Sequence, residues 1–233
     1  MAGRVPAIHD FADRAKDVDG RHEGGLDEMR RTEVGMSGPP APERHPDMTL
    51  EPSEILDFWF EGDPAERRKK WFEKEPAFDA ECARFTAGIR DARAGRYDEW
   101  AATPKGALAL IVLQDQLSRN VFRGLAEAFA ADPRARDIAR RAIADGFDTM
   151  LTPLERMFVY LPFEHAETIE DQNQSVRLFE SLAEALGADT IDYAHRHRDV
   201  IRAFGRFPHR NAVLGRINTL AEDEYLARPG AGF

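Results

Sequence analysis

The 233-residue sequence has little cysteine, little lysine, no strand patterning and no long apolar run. A single cysteine, Cys82, excludes an internal disulfide framework and any zinc site built on several thiolates. The longest unbroken apolar run, Ala107–Leu113, falls far short of the roughly 18 residues that a membrane-spanning helix needs. No stretch alternates apolar and polar residues with period two, and no turn dipeptide sits between β-branched runs, so no strand is convincing. Lysine occurs only at positions 16, 69, 70, 74 and 105, against 27 arginines. That excess matches a GC-rich coding bias, so only the placement of individual arginines is informative. With 42 acidic against 32 basic residues the chain carries a formal charge of −10, which argues against nucleic acid as a partner.

What the sequence does contain is helical. Residues 1–48 mix Gly, Pro, Asp and Arg, end in Ser37-Gly38-Pro39-Pro40-Ala41-Pro42, and lack the apolar stretch of a secretory signal. They read as a disordered or weakly structured N-terminal extension, with a weak amphipathic helix near Ile8–Val18 and with Met36 or Met48 as alternative first residues. Residues 49–233 read as a single all-α domain of about eight to ten helices in a chain expected to be cytoplasmic. Phe78, Cys82, Phe85, Ile89 and Ala92 recur at helical spacing, with Gly95 as a stop. Asp63-Pro64, Thr103-Pro104, Asp132-Pro133 and Thr152-Pro153 have the order of an N-cap followed by proline at the first helical position. Two long helices are predicted, over about Thr168–Leu186 and Thr190–Phe204. The aromatic pairs Trp59-Phe60 and Trp71-Phe72 are predicted to pack in the core.

Three stretches carry polar residues in unusual places. The first, Gln114–Gly124, leaves the most apolar helix; Asp115 there faces a helix C-terminus and calls for a cation, with Arg119 four residues on and Arg123 eight on. The second, Leu154–Glu167, has Pro162 to bend a helix, with His165 and Glu167 beyond the bend. The third, Gly205–Arg216, sets Arg206, His209, Arg210 and Asn211 around a helix start, a plausible anion site. His195-Arg196-His197-Arg198 reads as a solvated face. Neither His-Glu-x-x-His nor paired Glu-x-x-His units occur, so no metal is expected.

Ile55-Leu56-Asp57-Phe58-Trp59-Phe60, Trp71-Phe72, Asp115–Gly124, Glu155-Arg156-Met157-Phe158 with Leu161-Pro162 and His165, and Gly205–Arg216 occur in that order. Together they resemble the bacterial domain-of-unknown-function 924 family, over about residues 52–233. The resemblance implies an irregular tetratricopeptide-repeat-like stack of antiparallel helical hairpins with a groove, no known cofactor and no established reaction. Leu117-Ser118 stands where Phe-Pro is common in that family. Asn218-Thr219-Leu220-Ala221-Glu222 replaces a Ser-Thr-Pro-Glu-Glu type cap, although Thr219 and Glu222 keep the spacing of a capping pair.

The expected function is a binding module for a small anionic molecule or peptide. Its polar groove is assigned to Asp115, Gln116, Arg119, Asn120, Arg123, His165, Arg206, His209, Arg210 and Asn211. The alternative is a small hydrolase- or transferase-like enzyme. In it His165 or His209 would be the acid/base, Glu155 or Asp115 the orienting carboxylate, and the arginines a clamp. Catalysis predicts a His and a carboxylate in hydrogen-bond contact in an open pocket. Binding predicts Arg119, Arg123, Arg206 and Arg210 pointing several donors at one empty space. A structural network predicts each of them paired with a carboxylate or carbonyl, with no cavity left.

Overall fold

Proline and threonine start the helices of this chain much as their local chemistry demands. The computed structural model describes residues 50–62 and 67–232, and in them the protein is all-α. The extension, its helix near residues 8–18 and the Asp63-Pro64 start lie outside the described residues. Helices of at least seven residues are α1 (Pro52–Trp59), α2 (Pro76–Cys82), α3 (Thr86–Arg93), α4 (Pro104–Ile111), α5 (Asp132–Ala144), α6 (Pro153–Glu164), α7 (Ile169–Glu180), α8 (Ala188–Phe204) and α9 (Leu220–Leu226). Thr103 caps α4 through a hydrogen bond from the Gly106 backbone N–H, and Thr152 forms a reciprocal capping box with Glu155 at the start of α6. The departure at the C-terminal end keeps its helix: Thr219 and Glu222 form a second capping box on α9.

The apolar run of the sequence is the centre of the core. Ala107 through Leu113 are at most 1% exposed, and α4 packs against α1, α5 and α6. From α5 to α8 each helix packs on the one before it. The five-residue stripe Phe78, Cys82, Phe85, Ile89 and Ala92 is buried as read, although it spans α2, a 3₁₀ turn and α3. Phe158 of α6 is the aromatic hub: its ring meets Trp59, Phe60 and Trp71 edge-on, with centroids 5.7, 5.4 and 4.9 Å away.

Two readings need correction. The helix predicted over 168–186 stops at Glu180 and resumes as a separate turn, Ala183–Leu186. Ser181 sits at the break, where its hydroxyl donates to the Leu178 carbonyl and competes with the backbone ladder. Phe72 is 52% exposed rather than in the core, beneath the Arg67 guanidinium.

Candidate site at the end of α4

Gln114, Asp115 and Gln116 lie in a π-helical segment, Val112–Leu117, that continues α4 before a last α-turn, Ser118–Val121. A π-turn widens the helix and is frequent at functional sites. Here it sinks three polar side chains into the interior: Gln114 and Asp115 are fully buried, Gln116 nearly so. A buried carboxylate must be paired, and Asp115 is. Gln116 Nε2 donates to Oδ2 at 2.5 Å, Arg119 Nη1 approaches Oδ1 at 2.9 Å, and His165 Nδ1 lies 2.9 Å from both oxygens. Burial alone would raise the Asp115 pKa, but Arg119 and His165 outweigh it and hold the carboxyl well below the usual range. His165 is driven the other way: burial and Arg119 lower its pKa against the pull of Asp115.

Arg119 also reaches α5, where its Nη2 donates to Asp132 Oδ2 at 3.0 Å. The same oxygen accepts Nη1 of Arg210 at 3.3 Å, from the far end of the chain. Gly205, in the left-handed conformation (φ 69°) that glycine adopts without strain, turns the chain out of α8 towards Arg210. Glu167 then fastens this segment by accepting Nη1 and Nη2 of Arg216 at 2.6 and 2.9 Å and the Phe207 N–H at 2.8 Å. Arg210 is 6% exposed, its guanidinium carbon 4.6 Å from the Phe129 ring centroid and 4.5 Å from that of Phe207. Burial and the neighbouring Arg119 push its pKa down to about 10, and its Nε has no hydrogen-bond partner among the described residues. His209 stands beside it, lowered to about 4 by burial and by Arg210.

The structure thus brings Asp115, Gln116, Arg119, His165, His209 and Arg210 into one cluster. The other four expected site residues are engaged elsewhere, and with Arg119 and Arg210 on Asp132 each of the four expected arginines is paired with a carboxylate, as a structural network predicts. Asn120 and Arg123 bind Asp79 of α2, at 2.8 Å and at 2.6 Å. Arg206 pairs with Glu222 at 2.6 Å. Asn211 donates to Asn218 at 2.7 Å and accepts from Arg216 at 2.8 Å, tying the loop to itself. Glu155, the alternative orienting carboxylate, bonds Lys105 and its own helix start instead of a histidine.

Several members of the cluster were missed. Asp132 reads in sequence as a helix cap, but Ala131 holds the cap position and the Asp132 carboxylate serves the two arginines. His197, read as part of a solvated face, is 5% exposed, because the inner side of α8 lies over α7 and the end of α6. Its Nδ1 is 2.9 Å from the Tyr193 carbonyl and 3.3 Å from Oε1 of the buried Glu164. Burial, with Asp115 adding to it, lifts the Glu164 pKa to about 8.

A carboxyl raised in the folded state favours folding while protonated, so its contribution is lost as pH climbs from the ordinary glutamate value through 8. Glu164→Gln is therefore expected to gain stability relative to the unaltered chain between pH 5 and 8.5. Urea denaturation at both pH values checks this; parallel pH profiles would refute a protonated Glu164.

Two surface clefts, of about 660 and 450 Å³, lie away from the cluster. The first is bounded by Leu56, Phe60, Lys105 and Glu155, the second by Arg140, Phe163, Asp171 and Arg177. Among the described residues, no group of three or more His, Cys, Asp and Glu is placed to hold a metal ion, and no helix is long and apolar enough to cross a membrane.

Residues 55–230 match the model of a family described as "Bacterial protein of unknown function (DUF924)". A solved structure, of the protein of unknown function ATU0120 from Agrobacterium tumefaciens, is 40% identical to this chain with a TM-score of 0.68. The match covers 76% of this chain and 96% of that one. No curated protein matches.

Proposed function

The chain belongs to the DUF924 family, whose description names no activity, and from its own residues we propose a binding module for a small anionic molecule, held at the Arg119–Arg210 pair. The reading places this site on a tetratricopeptide-like helical scaffold in the cytoplasm. One observation carries it: two guanidiniums converge on a single carboxylate oxygen, and the more buried of them keeps an N–H, Nε of Arg210, without a partner among the described residues. Unmet donors on a buried cation are costly, and an oxyanion is the group that satisfies them. The Phe129 and Phe207 rings lie against Arg210, and a planar guanidinium presents its donors edge-on, the geometry that matches a carboxylate or phosphate. The Arg119 and His165 side chains are 19% and 15% exposed, so the cluster reaches the surface at these two residues.

Calorimetric titration with inorganic phosphate and with succinate tests the reading. Arg210→Met keeps the bulk between the two rings and leaves Asp132 paired with Arg119. It is expected to weaken binding by about 100-fold while unfolding free energy changes by no more than about 1 kcal/mol, since replacing a poorly paired buried ion with an apolar group is often neutral. Unchanged binding in Arg210→Met would place the anion elsewhere.

A second reading, acid/base catalysis on the held anion, is favoured by the His165–Asp115 contact. Nδ1 donates to the buried carboxylate, which orients the ring and leaves Nε2 with no hydrogen bond to any described residue. Turnover lost in His165→Asn with the anion still bound would support it.

A further inference from the structure

We propose that an anion entering between Arg119 and Arg210 brings one proton with it, and that the proton settles on Nε2 of His165. The inference rests on the anion-binding reading above and adds to it how the site balances charge. Arg119 and Arg210 face Asp115 and Asp132, two cations against two carboxylates, with no positive surplus for a ligand. The Glu167 carboxylate is engaged by Arg216. A buried anion in a site without net charge is left uncompensated, and the least costly remedy is a proton on a neighbouring base.

His165 is the base placed to take it. From α4, Asp115 holds its Nδ1 and Arg119 binds the same carboxylate. Asp132 of α5 adds its charge across Arg119. Glu164, preceding it on α6, is a buried acid; from α8 the His197 ring lies 6.3 Å away, centroid to centroid. His209 and Arg210 approach from the segment after Gly205. With Nδ1–H donated to Asp115, the neutral ring carries its lone pair on Nε2, which accepts no hydrogen bond from any described residue, and the side chain is 15% exposed. Burial and Arg119 disfavour a second ring proton. An oxyanion laid against the guanidiniums cancels that repulsion and accepts a hydrogen bond from the new N–H. Protonation and binding then reinforce one another, by the same free energy in each direction.

The test uses sulfate, an oxyanion that does not titrate near neutrality, and calorimetry of the full chain at pH 7 in buffers of different ionisation enthalpy. The expected result is a heat that varies with the buffer, with a slope approaching one proton taken up per sulfate. Affinity is also expected to fall by up to about tenfold per unit of rising pH, the limit for one linked proton. His165→Asn, which keeps an amide N–H for Asp115, is expected to bind sulfate more weakly and with the same heat in every buffer. Sulfate binding with no buffer dependence in the unaltered chain overturns the proton coupling and leaves the anion site standing. Coupling that survives His165→Asn and vanishes in His209→Asn overturns the assignment to His165. No sulfate binding in any buffer removes the anion site, and this inference with it.

Discussion

Replacing Asp115 with alanine is expected to cost about 3–5 kcal/mol of folding free energy, the usual penalty for breaking a buried ion pair by removing one partner. The carboxylate is fully buried and serves Gln116, Arg119 and His165 at once. Its loss leaves a guanidinium with one remaining carboxylate, Asp132, already shared with Arg210. His165 loses its hydrogen-bonded carboxylate, and Gln116 loses its acceptor in the interior. Against a total stability of about 5–15 kcal/mol, this is a large fraction. It corresponds to a fall in Tm on the order of 10 °C for a domain of this size. Urea denaturation measures it directly; a loss below about 1 kcal/mol would mean that Arg119 escapes to solvent and that the cluster is not a coupled unit. The effect is also pH-dependent. Asp115 titrates below its ordinary value when folded, so its contribution is present above the unfolded aspartate pKa and is lost as pH falls through the folded one. The variant and the unaltered chain should therefore converge in stability in strong acid.

Phe158→Ala is expected to cost a similar amount, about 3–5 kcal/mol, through a wholly different mechanism. The ring is fully buried and meets Trp59, Phe60 and Trp71, which hold α1 and the Lys69–Trp71 turn against α6. Removing it opens a cavity lined by large rigid rings that cannot collapse into the space. Both tryptophans report the change, so fluorescence during denaturation reads stability and local packing together. The comparison is Phe72→Ala, at a ring half exposed to solvent, expected to shift stability by no more than about 0.5 kcal/mol. Equal losses at the two positions would refute the hub.

Much of the fold was legible because helix signals are local. Thr103-Pro104 and Thr152-Pro153 need only their own neighbours to start a helix, and the apolar run after Gly106 is buried whichever face it shows. The break at Ser181 was not legible, since a serine within a helical pattern gives no sign of which acceptor its hydroxyl will choose. In the site, Asp115, Arg119 and His165 were found because a buried acid near a helix end must have partners. Asp132 and Glu164 were missed for the opposite reason. An aspartate before proline has a complete local explanation as a cap, and a glutamate next to a histidine gives no sign of burial. His197 was assigned to solvent from its charged neighbours, but the inner side of α8 is decided by what α7 presents to it. The echo between Arg119-Asn120 and Arg210-Asn211 has a partial counterpart in space. Both arginines end on Asp132, while the two asparagines part company, one to Asp79 and one to Asn218.

The single oxygen of Asp132 that receives both arginines also orders events in time. Arg119 is only 13 residues from it in sequence, whereas Arg210 is 78 residues away, and Asp115 and His165 are separated by 50. Contacts across such separations close large loops before they return any stabilisation, so they form late, after neighbouring helices have paired. During synthesis the chain can assemble α4, α5 and their mutual contacts well before Arg210 leaves the ribosome. The cluster is then completed by the final segment, folding onto a surface already in place. Contacts made after the transition state slow unfolding and leave the folding rate nearly untouched. The Arg210–Asp132 contact therefore acts on the lifetime of the finished protein, as a latch on its last-docked segment.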